Sequence, residues 1–131
     1  MGLLNKFFGE GRKSGNEGKM EFPWIPLTEI NQLDEIEAES LNASVAIFKH
    51  STRCGISKMV LRKFESEYSG DEKGAKLYFL DLLKYRGISN EIANRYGVRH
   101  ESPQLIVLKG GKVVSHASHQ AIEAEMVVGG N

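Results

Sequence analysis

Cysteine is almost absent from this chain of 131 residues, which contains only Cys54. A single cysteine cannot form an internal disulfide. A domain of this size buries roughly two thirds of its surface on folding and needs no such staple. We therefore expect a reducing compartment, with the cytoplasm as the default.

The chain also lacks a net charge and long hydrophobic runs. Its 17 Lys and Arg balance 17 Asp and Glu, so neither nucleic acid nor an anionic membrane surface is an expected partner. No apolar run approaches the roughly 18 residues of a membrane span. The patch around Leu3, Leu4, Phe7 and Phe8 is too short for a signal peptide. Partners must be selected by a specific site, and the oligomeric state stays open.

Apolar residues are missing from residues 9–19, GEGRKSGNEGK, which include four glycines and alternating charges. Such a segment cannot offset the entropy that is lost on ordering. We predict a flexible N-terminal arm over residues 1–21 and one folded domain over residues 22–131.

Hydrophobic periodicity predicts the elements of this domain. The first half contains an extended entry at Trp24, a helix with Ile30, Leu33, Ile36 and Leu41 inward, and a central strand over Ser44–Lys49. A second helix starts at or beside Cys54, with Met59, Val60, Phe64 and Tyr68 on its apolar face, and a strand over Ala75–Leu82 follows. The second half contains a helix capped by Ser89 and closed by Gly97, a hairpin that turns at Gly110-Gly111, and a last helix capped by Ser118. This order predicts an α/β, thioredoxin-like fold, with a mixed central sheet of about four strands flanked by helices on both faces.

Cys54 is the candidate catalytic residue because it stands where a strand gives way to a helix. Unpaired N–H groups and the positive end of the helix dipole stabilise a thiolate there, which lowers the thiol pKa. Arg53, Lys49 and His50 are candidate activating cations. A lone cysteine is more often a small buried hydrophobe, but the polar sequence around Cys54 favours a reactive thiol.

Ser57 follows Cys54 by one helical turn, at the position where a dithiol enzyme has its resolving cysteine. A serine cannot resolve a mixed disulfide, so an adduct on Cys54 must wait for an external thiol. The Ser57 hydroxyl either lies near the sulfur or caps backbone, and both interpretations remain open.

Ser102-Pro103 introduces the strand that begins at Gln104, and a cis bond is plausible in such a turn. In a thioredoxin-like sheet this turn lies opposite the Cys54 helix, which leaves the Ser102 backbone available to an extended ligand. The alternative is an ordinary proline at the start of a strand. The four histidines, His50, His100, His116 and His119, lack metal-ligand spacing, so no metal site is predicted.

Two stretches, FKHSTRCGISKMVLRKFE from Phe48 and YGVRHESPQLIVLKGGKV from Tyr96, resemble the monothiol bacilliredoxins of the YtxJ type. The resemblance implies a thioredoxin-like fold, a reactive Cys54, a cis Pro103 and removal of bacillithiol from protein cysteines. It implies S-thiolated client proteins as partners and bacillithiol as a co-substrate, with no bound cofactor. Gly55, Ile56, Ser102 and Pro103 are then the candidate substrate-binding residues. Gly55 departs from the family, in which Pro or Ser is more typical.

Two other functions remain open. Cys54-Gly55-Ile56-Ser57 is similar to the CGFS motif of monothiol glutaredoxins, which carry iron–sulfur clusters. Those proteins have Gly-Gly followed by acidic residues after the last strand, whereas this chain has Ser115–His119 there, which favours thiol exchange. A stress-associated binding module without turnover is the third possibility.

Overall fold

The structure is a computed structural model that describes residues 22–68 and 75–129. In chain order its elements are β1 (Ile25–Pro26), α1 (Gln32–Glu39), β2 (Val45–His50), α2 (Gly55–Glu67), β3 (Lys76–Asp81), α3 (Arg86–Tyr96), β4 (Gln104–Lys109), β5 (Lys112–Ser118), a 3₁₀ turn (His119–Ala121) and α4 (Glu125–Gly129). The arm predicted over residues 1–21 and the loop predicted at residues 69–74 lie outside the described residues.

The strands form one mixed sheet in the order β1-β3-β2-β4-β5. β2 pairs in parallel with β3 and antiparallel with β4, and all six of its residues are buried. The prediction of a mixed sheet with the Ser44–Lys49 segment at its centre is confirmed. The strand beyond the predicted four is β1, a two-residue edge strand that the extended entry adds beside β3.

Each face of the sheet carries its own apolar core. α1 and α3 cover one face, where Leu33, Ile36, Ile88 and Ile92 pack with Val45 and Ile47; α2 and α4 cover the other, where Val60, Phe64 and Val127 pack with Ala46 and Phe48. Successive strand residues point to opposite faces. At the end of β2, Lys49 therefore belongs to the α1/α3 face and His50 to the α2 face.

The predicted inward faces of two helices were partly wrong. Leu33 and Ile36 are fully buried in α1, but Ile30 and Leu41, which flank the helix, are 49% and 67% exposed. In α2 the buried residues are Ser57, Val60 and Phe64, while Met59 is 58% exposed. Adjacent residues of a helix differ by about 100° in direction, so only one of Met59 and Val60 points at the core.

Two predicted helix starts were also wrong. α3 begins at Arg86, because the Asp81 carbonyl accepts the N–H groups of Lys84 and Tyr85 and forms the preceding turn. Ser89 is therefore a buried residue inside the helix. The last segment is a 3₁₀ turn and a separate α4, since Ile122 is extended between them, and Ser118 makes no side-chain cap.

The glycine signals are confirmed. Gly97 ends α3 with φ +65°, and Gly110 and Gly111 form the hairpin turn with φ +65° and +80°, values that glycine adopts at no steric cost. None of the helices in the two described ranges is long and apolar enough to cross a membrane.

Candidate active site

Cys54 is the N-cap residue of α2, with extended backbone angles (φ −107°, ψ 121°). Its N–H bonds the Ser51 carbonyl at 3.2 Å, and its carbonyl accepts the Lys58 N–H at 3.1 Å, which starts the helix. The thiol is half-buried and makes no side-chain cap hydrogen bond. The first N–H groups of a helix lack partners within the helix, so this position brings the thiol to an electropositive end of α2.

Ser57 is fully buried in the first turn of α2, and its hydroxyl is committed to two partners. It accepts the Ser51 N–H at 3.2 Å and lies 2.7 Å from His50 Nδ1. The backbone group that it binds is thus in the turn before Cys54. The hydroxyl thereby ties the start of α2 to the end of β2.

His50 is 4% exposed and packs against Phe79, with ring centroids 5.4 Å apart. Burial lowers the pKa of His50; Lys58 adds to this effect, and Asp81 and Glu65 oppose it. In the neutral tautomer with an unprotonated Nδ1, His50 accepts the Ser57 hydroxyl proton while that oxygen accepts the Ser51 N–H. The two side chains therefore form a satisfied buried pair behind Cys54.

The other two candidate cations lie in different surroundings. Arg53 is exposed beside Cys54. Lys49 is fully buried on the α1/α3 face, with Nζ 2.7 Å from His100 Nδ1. Burial lowers the pKa of Lys49 to about 8, and Glu101 opposes the shift. The structure thus brings His50 and Ser57 together and directs the Lys49 amine to the other side of the sheet.

The Ser102-Pro103 peptide bond is cis, as the family resemblance implied. Pro103 is buried, and the Ser102 hydroxyl oxygen is buried without a hydrogen-bond partner. The pairing of Lys49 with Gln104 places this turn at the end of the sheet where β2 leads into the Cys54 segment. The turn and Cys54 thus lie at the same end of the fold.

Gly55 and Ile56 form the exposed start of α2. A Cβ on Gly55 would meet no atom within 4 Å, so the space there does not require glycine. Ile56 is 46% exposed and Met59, one turn later, 58% exposed. Cys54 is therefore flanked by an apolar surface that the protein's own core does not use.

Comparison with known proteins identifies the family and the fold. The family model "Monothiol bacilliredoxin BrxC" matches residues 25–127. This chain belongs to the monothiol bacilliredoxin family. A structure described as an oxidoreductase with a thioredoxin fold is similar to this bacilliredoxin with a TM-score of 0.70 and 29% identity, over 82% of this chain and 93% of the other.

Thioredoxins share the fold at lower identity. A mutant thioredoxin from Halobacterium salinarum is 20% identical with a TM-score of 0.59, over 85% of this chain and 95% of its own. Thioredoxin from Fasciola hepatica is 18% identical with a TM-score of 0.62, over 81% and 98%. The family match and the 29% identical oxidoreductase assign this chain a thiol–disulfide redox role, and the predicted family and fold are confirmed.

Sequence reasoning missed one polar cluster, which consists of Lys49, Ser89 and His100. Ser89 of α3 places its hydroxyl 3.1 Å from His100 Nδ1, the nitrogen that also contacts the Lys49 amine. The available signal was the alternation of β2, which assigns Val45, Ile47 and Lys49 to one face.

Within residues 22–68 and 75–129, no group of three or more His, Cys, Asp or Glu is arranged to hold a metal ion.

Proposed function

We propose that Cys54 removes bacillithiol, or a similar low-molecular-weight thiol, from protein mixed disulfides by monothiol exchange. The observation that carries the proposal is the position of the chain's one cysteine, at the N-cap of α2 in a member of the monothiol bacilliredoxin family. A thiolate is the attacking species in such exchange, and a helix N-terminus favours it.

In the first step the Cys54 thiolate attacks the bacillithiol sulfur of the client's mixed disulfide. A new S–S bond joins Cys54 to bacillithiol, and the bond between bacillithiol and the client breaks. The client cysteine leaves as a thiolate and takes a proton from solvent. The client is reduced, and Cys54 carries the adduct.

The second step requires an external thiol, because the chain has one cysteine and a buried serine at position 57. A second thiol, either free bacillithiol or a reductase cysteine, attacks the adduct at the bacillithiol sulfur. Cys54 leaves as a thiolate, and the bacillithiol departs in a disulfide with the incoming thiol. The electrons for each turnover come from that thiol.

S-thiolated client proteins are the proposed partners. Ile56 and Met59 offer exposed apolar contact beside Cys54, and the backbone at Ser102-Pro103 offers hydrogen bonds to an extended client segment. Gly55 leaves open space where the client approaches the sulfur. Arg53 is exposed next to Cys54 and suits the carboxylates of a small anionic thiol.

Release of client thiol from two matched substrates tests the proposal. One client protein is prepared with bacillithiol on its cysteine and again with glutathione, and each is mixed with the wild type and with Cys54→Ser. We expect the wild type to release the client thiol, faster from the bacillithiol adduct, and Cys54→Ser to release none. Preference for glutathione would overturn the assignment of the thiol, and no release from either would overturn the function.

The same preparations test the two other functions. An iron–sulfur cluster would give brown protein with charge-transfer absorption that depends on Cys54. A binding module would hold client proteins equally well after Cys54→Ser. We expect colourless protein and client capture that requires Cys54. The cytoplasmic location expected from the sequence stays a prediction.

A further inference from the structure

Lys49 carries a buried amine near the end of β2, the central strand of the sheet. Its residue surface is 0% exposed, and it follows Val45 and Ile47 along the apolar α1/α3 face of β2. Its cross-strand neighbour is Gln104, the first residue of β4. An ammonium group loses its hydration at such a position, which is costly unless polar partners replace the water.

The partner of this amine belongs to the segment that leads into the cis-proline. Lys49 Nζ lies 2.7 Å from His100 Nδ1, and the Ser89 hydroxyl of α3 lies 3.1 Å from the same nitrogen. His100 is three residues before Pro103. One ring nitrogen of this connecting segment is thus held by β2 and by α3.

Two further bonds hold the same segment, residues 99–103. The Gln104 side-chain amide donates to the Arg99 carbonyl at 2.8 Å, and the His119 N–H donates to the Pro103 carbonyl at 3.0 Å. Of these contacts, only the one from Lys49 comes from the strand that leads directly to Cys54. This side-chain contact connects the strand that leads to Cys54 with the segment that contains the Ser102-Pro103 turn.

The stability of the fold does not account for an amine at position 49. Replacing a buried charged group together with its pairing by apolar side chains of similar volume is often neutral or stabilising. A direct action on the thiol is not indicated either, because the Lys49 side chain lies on the α1/α3 face and α2 covers the other face.

We propose that Lys49 is a positioning residue, which holds residues 99–103 against β2 so that the Ser102-Pro103 turn keeps a fixed placement relative to Cys54. The inference rests on the proposed function, in which this turn binds the client backbone. It predicts that loss of the amine impairs client binding and leaves the chemistry of the thiol unchanged.

The test variant is Lys49→Met, which keeps most of the side-chain volume. Its control is Lys112→Met, an exposed lysine at the start of β5, at the hairpin end of the sheet. His100→Phe removes the acceptor from an exposed residue, and His100→Gln restores an acceptor. Together they separate the loss of the contact from the loss of a buried side chain.

Three readouts are compared. For Lys49→Met we expect a rise in KM for the thiolated client of about tenfold, since small misplacements of binding groups carry costs of this order or larger. The alkylation rate of Cys54 by iodoacetamide and the melting temperature should not fall. His100→Phe should raise KM similarly, His100→Gln less, and Lys112→Met not at all.

Amide hydrogen exchange of residues 99–102, the part of the segment that carries backbone N–H groups, tests the inference without any activity. Faster exchange there in Lys49→Met and His100→Phe than in the wild type supports it even if the client assay shows that the proposed function is wrong. A KM and an exchange rate equal to those of the wild type in both variants would overturn the positioning role. Slower alkylation of Cys54 in Lys49→Met with an unchanged KM would instead make the amine an activator and overturn it as well.

Discussion

Ser57 Oγ lies 2.7 Å from His50 Nδ1, and both residues are buried next to the segment that carries Cys54. The position that holds a second sulfur in dithiol relatives therefore carries a hydroxyl that is bound to the last residue of β2. The same oxygen accepts the N–H of Ser51. The start of α2 is thus held by a hydrogen-bond network that already engages the Ser57 hydroxyl.

Ser57→Ala removes a hydroxyl from this network and leaves the Ser51 N–H and His50 Nδ1 without a partner. We expect a loss of about 1–3 kcal/mol in the free energy of unfolding, because His50 is buried and Ser51 is partly buried. Exchange should weaken by about 1 kcal/mol, or about fivefold in kcat/KM, as the start of α2 loosens. Denaturant unfolding and the client assay measure the two effects.

Ser66→Ala is the matched control for that variant. Ser66 is an exposed serine on the same helix, and its hydroxyl bonds the Lys63 carbonyl at 2.9 Å. We expect it to change the free energy of unfolding by less than about 0.5 kcal/mol. Equal effects of the two variants would contradict the network at the start of α2.

His50 makes the folded state sensitive to acid. Burial lowers its pKa in the folded protein, while the unfolded chain takes up the proton at about 6.5. Below that pH the unfolded state binds more protons, so the free energy of unfolding falls as the pH falls. The contribution is complete above about pH 6.5 and is lost progressively below it.

Unfolding of the wild type and of His50→Phe between pH 7 and 5 measures this contribution. We expect the free energy of unfolding to fall less steeply with decreasing pH in the variant. The phenylalanine ring is compatible with the neighbouring rings of Phe48 and Phe79. His100 retains part of the slope, because partial desolvation and the nearby Lys49 lower its pKa too. Parallel curves for the two proteins would contradict a neutral, buried His50.

Lys49 gives a pH dependence of the same direction on the alkaline side. Its pKa falls from 10.5 to about 8 in the folded protein, so between these values the unfolded state binds the proton and the folded state does not. The free energy of unfolding therefore rises with pH in this window, by up to about 3 kcal/mol relative to Lys49→Met. Glu101 and the His100 ring face the amine, and Arg86 acts on that ring.

The difference between wild type and Lys49→Met, measured at pH 7 to 10.5, isolates this contribution from that of the tyrosines, which both proteins share. From about pH 8 upward, the free energy of unfolding of the wild type should rise relative to that of the variant. A constant difference would show that the amine is solvated in the folded protein.

Local signals in the sequence were sufficient for the framework of the site. The change from β2 to α2 placed Cys54 at a helix start, and Ser102-Pro103 marked the turn whose bond is cis. These features depend on a few neighbouring residues. Sequence patterns predict such features best, because the backbone conformation at helix starts and prolines is restricted locally.

The contacts that connect these features could not be predicted in the same way. Ser89 looked like a cap, but the turn at Asp81 starts α3 earlier and frees its hydroxyl for His100. Lys49 is five residues from Cys54 and looked like a neighbour, yet strand alternation directs it to the other face. Strand alternation could have given the face of Lys49, but its pairing with His100 depends on how distant segments pack, and a single sequence contains no local signal for that pairing.

The central claim is that Cys54 accepts the small thiol from the client, and intact-mass spectrometry tests it directly. A bacillithiolated client is mixed with the wild type or with Cys54→Ser, and both proteins are weighed during the reaction. We predict that the wild type gains the mass of one bacillithiol while the client loses it, and that Cys54→Ser remains unmodified beside an unchanged client. A client that loses bacillithiol at the same rate with Cys54→Ser, or a wild type that never carries the adduct, would contradict the account.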